Sequence, residues 1–157
     1  MIEIERKFLL KDPGILRDLE GSRVIQGYLS SDPDRAVRIR IIGDQGLLTI
    51  KGASSEDGLS RYEWERNIGV KDAQELLKLS LPGGIDKTRY KIKVDAHTWE
   101  VDAFHGPNEG LFLAEIELNS TTEKFVRPDW LGEEVTGQRR FYNAYINSKP
   151  YCTWENL

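Results

Sequence analysis

Cysteine, histidine and long apolar runs are almost missing from this chain, and each absence closes off a class of protein. Cys152 is the sole cysteine, so neither an internal disulfide nor a cysteine-based metal cluster can form. The two histidines, His97 and His105, lie at turns and are given no catalytic role. No apolar stretch approaches a membrane span, and charged residues begin at Glu3. Hence no signal peptide or membrane anchor is expected, and the expected compartment is cytoplasmic. The sequon Asn119-Ser120-Thr121 then reads as chance. A net charge of −4 gives no global basic field, so neither nucleic acid nor an anionic membrane is an expected partner. Any anion must be held by a local set of Lys and Arg. The pattern GxxxxGK[ST] is absent, which excludes a P-loop nucleotide hydrolase. Low-complexity tracts, internal repeats and linkers are also lacking, and a single domain over residues 1–157 is expected.

What is present is charge and alternation. Charged residues make up 31% and hydrophobic residues 39%, the composition of a folded but charge-rich domain. Apolar and polar residues alternate over Ile2–Leu10, Val24–Ser30, Ala36–Ile42, Leu47–Lys51, Arg61–Ile68, Lys87–Val94, Thr98–Phe104 and Leu111–Leu118. Turn residues separate most of these strands: Asp32-Pro33-Asp34, the tight Gly43-Asp44-Gln45-Gly46, Pro82-Gly83-Gly84 and Gly106–Gly110. Helical spacing is confined to Val70–Leu79, Arg139–Ile146 and a short Pro13–Leu19 capped by Asp12. The predicted class is α+β but mainly β, an antiparallel sheet with a few peripheral helices.

Sorting each strand by face separates charge from apolar bulk. Glu3, Glu5 and Lys7 share one face; so do Arg38 and Arg40, with Lys51 on the next strand. Glu63 with Glu65, Lys87 with Arg89, Glu100 with Asp102, and Glu115 with Glu117 repeat the pattern. A solvated sheet face accounts for any one of these strands. It does not account for the set, because like charges two residues apart lie only about 7 Å from one another. If the sheet closes into eight strands, these side chains converge on an interior wide enough for one small ligand. Buried charge at that density must be paired or liganded. Arg and Lys match phosphate oxygens, and carboxylates suit Mg²⁺ or Mn²⁺. A polyphosphate with its metal is therefore the expected occupant. The apolar outer faces need cover from the helices or from a second copy, so a homodimer is expected.

The ordered motifs carry a family resemblance. Glu3-Ile4-Glu5-Arg6-Lys7-Phe8 is similar to the ExExK signature of the CYTH family, the triphosphate tunnel metalloenzymes. Gln26-Gly27-Tyr28-Leu29, Arg38-Ile39-Arg40, Thr49-Ile50-Lys51, Arg61–Glu65, Lys87-Thr88-Arg89-Tyr90, Glu100-Val101-Asp102 and Glu115-Ile116-Glu117 follow in the family's order. Leu131–Thr136 resembles the segment leading into the last helix of bacterial members. The resemblance implies an eight-stranded antiparallel tunnel that binds a linear triphosphate with a divalent metal. Short bacterial members most like this chain hydrolyse inorganic triphosphate to pyrophosphate and phosphate.

By the same resemblance, Glu3, Glu5, Glu115 and Glu117 are the expected metal ligands, and with Lys7 the catalytic set. Lys7, Arg38, Arg40, Lys51, Lys87 and Arg89 are expected to bind phosphate. Tyr28 either contacts phosphate or packs. Glu63 and Glu65 either support the metal or orient the bases, and Glu100, Asp102 and Arg139 have supporting roles. Lys91 and Lys93 are expected at the solvent-exposed mouth. Arg139-Arg140-Phe141-Tyr142-Asn143-Ala144 keeps the basic pair and the Asn of the family's terminal helix but lacks a further Lys found nearby in relatives. Alternatives on the same fold are a thiamine triphosphatase, with Trp64 or Trp130 as stacking partner, and a class IV-type adenylyl cyclase. A non-catalytic polyphosphate- or nucleotide-binding module stands outside the enzymes, and the many acids argue against it.

Overall fold

Each alternating segment becomes a strand because it has an apolar side to bury and a charged side to turn elsewhere. The structure is a computed structural model that describes residues 1–155. Its strands are β1 (Ile2–Leu10), β2 (Ser22–Ser30), β3 (Arg35–Ile42), β4 (Gln45–Ser54), β5 (Ser60–Asn67), β6 (Ile85–Val94), β7 (His97–Phe104), β8 (Phe112–Glu117) and β9 (Leu131–Glu134). Two α-helices, α1 (Val70–Leu77) and α2 (Asn143–Ser148), accompany them. No helix among the described residues is long and apolar enough to cross a membrane.

All strand pairs are antiparallel, in the order β5-β4-β3-β2-β6-β7-β8-β1-β9. A further pairing of β5 with β1 closes eight of the strands into a barrel. Closure is shared along one edge of β1. Ile2, Glu3 and Ile4 pair with β5, while Phe8 and Leu10 further along pair with β9. The ninth strand is an addition to the eight expected. Its four residues carry too short an alternation to be read alone, and it exists because β5 leaves that part of β1 unpaired.

The predicted tight turn between β3 and β4 is reduced to Gly43-Asp44, with Gly43 at φ 59°, the placement a two-residue hairpin needs. Helix α1 lies on the outer face of β2–β4, and only a glycine permits the approach at position 46. A Cβ there would sit 2.2 Å from the carbonyl oxygen of Gly69.

The predicted helix over Arg139–Ile146 is broken. A 3₁₀ turn covers Arg139–Phe141, Tyr142 is extended at φ −75° and ψ 136°, and α2 begins at Asn143. The break lets Phe141 and Ile146 enter the same apolar cluster while Tyr142 faces elsewhere. The predicted Pro13–Leu19 helix is likewise only a 3₁₀ turn, Pro13–Leu16, with the Asp12 side chain accepting from the Gly14 backbone N–H.

Two apolar clusters flank the barrel wall. The outer one gathers Phe8, Trp99, Val101, Ala114 and Ile116, covered by Leu16, Phe125 and Trp130. The other fills one end of the barrel. There Ile85, Phe104 and Leu113, which share the inward face of their strands with the charged residues, pack against Val135, Phe141 and Ile146. The C-terminal segment thus stoppers that end. On the outer wall of β1, β4 and β5, Ile2, Ile50 and Tyr62 remain 65%, 37% and 46% exposed.

Ile146 is fully buried in the stopper. Ile146→Ala should therefore cost about 2–5 kcal/mol, read as a lowered midpoint in urea unfolding. An unchanged midpoint would place the C-terminal segment outside the folded core.

Candidate active site

Alternation turns the charged face of seven barrel strands inward beside the uncharged Val24, Gln26 and Tyr28 face of β2, and the result is a cavity of about 400 Å³. Seven carboxylates line it: Glu3, Glu5, Glu63, Glu65, Glu100, Glu115 and Glu117. Eight cations line it too: Lys7, Arg38, Arg40, Lys51, Arg61, Lys87, Arg89 and Lys91. Tyr28 is buried in the same wall, and Tyr142, Asn143 and Ala144 close the stoppered end. Of the residues anticipated as a site, Asp102 lies just behind the lining and Arg139 lies outside it. Asp102 is fully buried beneath Lys87 and Arg89. Arg139 is exposed on its 3₁₀ turn, since it is Phe141 of the same turn that packs into the apolar end of the barrel. A supporting role for Arg139 at the cavity wall has no geometry behind it. Lys93 is exposed and absent from the lining, and Lys91 takes the rim.

Register brings unlike strands into ion pairs. Glu5 stands opposite Glu117, and Lys7 opposite Glu115. Lys51 bridges Glu3 at 3.0 Å and Glu63 at 3.3 Å. Arg89 donates from Nε and Nη2 to Asp102 at 2.8 and 2.9 Å and reaches Glu100 at 3.1 Å. Lys87 Nζ lies 2.7 Å from Asp102. Glu65 accepts from Thr49 Oγ1 at 2.6 Å, and its contact with Arg38 is longer, 3.4 Å. Arg38 Nε is buried with no partner among the described residues, an uncommitted donor in the cation-lined wall.

Burial and like-charge crowding displace the titrations. Burial pushes Lys87 down to about 7 against the pull of Asp102, with Arg89 and Arg40 adding repulsion. Burial, then Arg38 and Arg89, lower Arg40 to about 9. Burial opposes ionisation of Asp102, but Lys87 and Arg89 override it and hold the carboxyl well below the usual range. Lys7 and Arg89 do the same for Glu115 against its burial. Glu5 goes the other way. Burial, Glu115 and Glu3 raise its carboxyl well above the ordinary carboxylate value. Glu117 is raised by burial and by Glu3 and Glu100.

Several residues at or behind the cavity wall were not anticipated. Gln26 and Thr49 are buried behind the lining, where they accept from Arg40 and Arg38. They share the inward face of their strands with Tyr28 and Lys51, so face sorting carried a signal for them. Arg61 falls on the Glu63 face in the same way. Tyr142 and Asn143 lie off the strands, so parity gave no signal for them; the resemblance of the terminal segment marked Asn143, but its placement depends on the break in the last helix.

Against this geometry stand the similarities to known proteins. The CYTH domain family matches residues 1–145, and the chain belongs to that family. It is 44% identical over 150 residues to an inorganic triphosphatase of Acetivibrio thermocellus, covering 95% of each chain. Identity to an inorganic triphosphatase of Nitrosomonas europaea is 38% over 151 residues, covering 93% of this chain and 97% of the other. Among solved structures, the crystal structure of an inorganic triphosphatase superposes with a TM-score of 0.62 at 32% identity, over 92% of this chain and 96% of that one.

The raised Glu5 carboxyl sets a sign for stability. Between the unfolded carboxyl value near 4.5 and its raised folded value, the folded state binds a proton that the unfolded state has lost. Ionising Glu5 as pH rises through that window therefore costs stability. Glu5→Gln should raise the melting temperature of the metal-free protein at pH 8, and the gain should vanish as pH falls to 4.5. A gain independent of pH would show that Glu5 is not held protonated by its surroundings.

Proposed function

We propose that the chain hydrolyses inorganic triphosphate to pyrophosphate and phosphate inside this barrel, with a divalent metal ion as cofactor. The observation that carries the reading is the convergence of seven carboxylates and eight cations on one stoppered cavity. The name shared by relatives 44% and 38% identical over nearly the whole chain supports the same activity. A plain anion trap would not need the acids. With the two signs almost balanced, a bare triphosphate brings more negative charge than the wall can offset, and a dication restores the balance.

The donors fit such an ion. Glu3, Glu5, Glu115 and Glu117 offer hard carboxylate oxygens, and the crowding that raises Glu5 and Glu117 is what a dication would relieve. Among the described residues no three His, Cys, Asp or Glu side chains form a cage by themselves. Phosphate oxygens of the substrate would complete the coordination of an ion held by these carboxylates, the mode suited to Mg²⁺ and shared in donor type by Mn²⁺. When bound, the ion supplies charge neutralisation between phosphates and acidifies water.

The chain's own residues bind and orient. Lys7, Arg38, Arg40, Lys51, Lys87 and Arg89 hold the phosphate oxygens by charge-assisted donation. Water adds to the terminal phosphorus as its bond to the bridging oxygen breaks; that oxygen leaves with the electron pair on pyrophosphate, one proton of the water stays on the released phosphate and the other passes to pyrophosphate or solvent. The buried guanidinium and ammonium groups neutralise the charge that develops there. Glu63 and Glu65 orient Lys51 and Arg38 through their ion pairs. Tyr28 and Tyr142 are the aromatic residues of the lining, with no stacked pair for a nucleobase or thiazole. Trp130 packs on Trp99 in the outer cluster, and Trp64 lies under Arg66, so neither serves a thiamine-like substrate. The uncovered strip of Ile2, Ile50 and Tyr62 supports a homodimer that buries it.

Phosphate release from tripolyphosphate, ATP and thiamine triphosphate, each with Mg²⁺, Mn²⁺ or EDTA, tests this directly. Fast metal-dependent release from tripolyphosphate with little from ATP is expected; binding without release from any substrate would refute the hydrolase. Glu5→Gln and Glu117→Gln should each abolish release with the fold intact, and full activity in both would remove the metal assignment. Arg38→Ala should weaken tripolyphosphate binding by about 1.5–3 kcal/mol, measured by calorimetry in EDTA.

A further inference from the structure

The wall of the cavity is not all barrel. Asn143, the first residue of α2, reaches in from the C-terminal stopper and meets two strands at once. Its Oδ1 accepts from Lys87 Nζ at 2.9 Å and from Gln26 Nε2 at 3.0 Å. Gln26 in turn accepts from Arg40 Nε at 2.9 Å through Oε1. One amide oxygen therefore stands at the centre of a chain linking Lys87 on β6 to Arg40 on β3. Gln26 and Lys87 are almost wholly buried, and both ends of the Gln26 amide are committed.

An ammonium has three N–H donors. Asp102 takes one from Lys87 at 2.7 Å, and Asn143 takes a second. With two anchors the third donor has one direction left, that of the cavity; with Asp102 alone the group turns freely about a single contact. Around Lys87 the other charged groups are Arg89, Arg40 and Glu115, and none of them replaces the missing neutral acceptor. Neutrality matters here, because a carboxylate at position 143 would place a negative charge where a phosphate has to approach.

We propose that Asn143 is a positioning residue for the phosphate site: its side-chain oxygen aims Lys87 and, through Gln26, fixes the Arg40 guanidinium, so that both cations address the same bound phosphate. The proposal rests on reading the cavity as a triphosphate site. Nothing in the strand pattern supplies this residue, which arrives only because the last helix breaks at Tyr142.

The test uses Asn143→Leu, which keeps the bulk and removes the acceptor. Tripolyphosphate affinity in EDTA by calorimetry, kcat and KM with Mg²⁺, and melting temperature are compared with the unsubstituted protein. Affinity should fall and KM rise about tenfold, the scale of one charged hydrogen bond, with kcat changed far less. Gln26→Leu should give part of the same loss, and the double variant should lose less than the product of the two. Unchanged affinity and KM in a folded Asn143→Leu protein would overturn the proposal, as would fully multiplicative losses. If the leucine variant does not fold, Asn143→Ser, too short to reach Lys87, decides the same comparison. Absence of tripolyphosphate hydrolysis by the unsubstituted protein would instead overturn the hydrolase reading. In that case the ¹⁵N resonance of the Lys87 ammonium still decides: it should shift and broaden in Asn143→Leu, and an identical signal in the two proteins would overturn the positioning role.

Discussion

Everything in this structure depends on the sheet meeting itself along β1. Only Ile2, Glu3 and Ile4 make the seam with β5, yet that short pairing separates a solvated charged surface from a cavity. An open sheet with this sequence would place its carboxylates and guanidiniums in water, where their mutual effects are screened. Closed, the same side chains share a confined space in which each ionisation is felt by its neighbours. The strand that makes the seam also carries Glu3, Glu5 and Lys7, so the assembly of the wall and the placement of two of its seven acids are one event.

The energetic character of the interior follows from that confinement. Asp102 is satisfied several times over by Lys87 and Arg89, and it forms the rigid part of the wall. Glu5 has no such complement and stands across the β1–β8 ladder from Glu117. The site is thus divided into a settled half, whose charges are compensated by the protein, and an unsettled half, whose charges await something from outside. Stability is withheld where a ligand is to be received, a division expected of a binding cavity rather than of a structural core.

Much of the site was legible because parity needs only alternation. That Glu63 and Glu65 turn one way and Trp64 the other follows from a period of two, without knowledge of any partner. What parity cannot convey is register. That Lys51 meets Glu3 rather than another acid depends on how far β4, β5 and β1 slide past one another, a quantity set by the whole barrel. β9 was hidden for a related reason, since a four-residue strand is defined by the vacant edge it occupies. The interruption at Tyr142 was hidden because Phe141 and Tyr145 have helical spacing, and burying Phe141 with Ile146 overrides it. Leu9, Phe104 and Leu113 lie on the charged face by parity, and only the packed structure reveals that they form the barrel's floor.

That floor has a consequence for the order in which the protein is made. Phe141 and Ile146 come from the C-terminal segment, yet they pack against Ile85, Phe104 and Leu113 of three barrel strands. The barrel wall can therefore be complete while its floor is still missing, and the room is finished only when late-synthesised chain folds back onto early strands. A chain cut before Phe141 would lose the floor along with its tail.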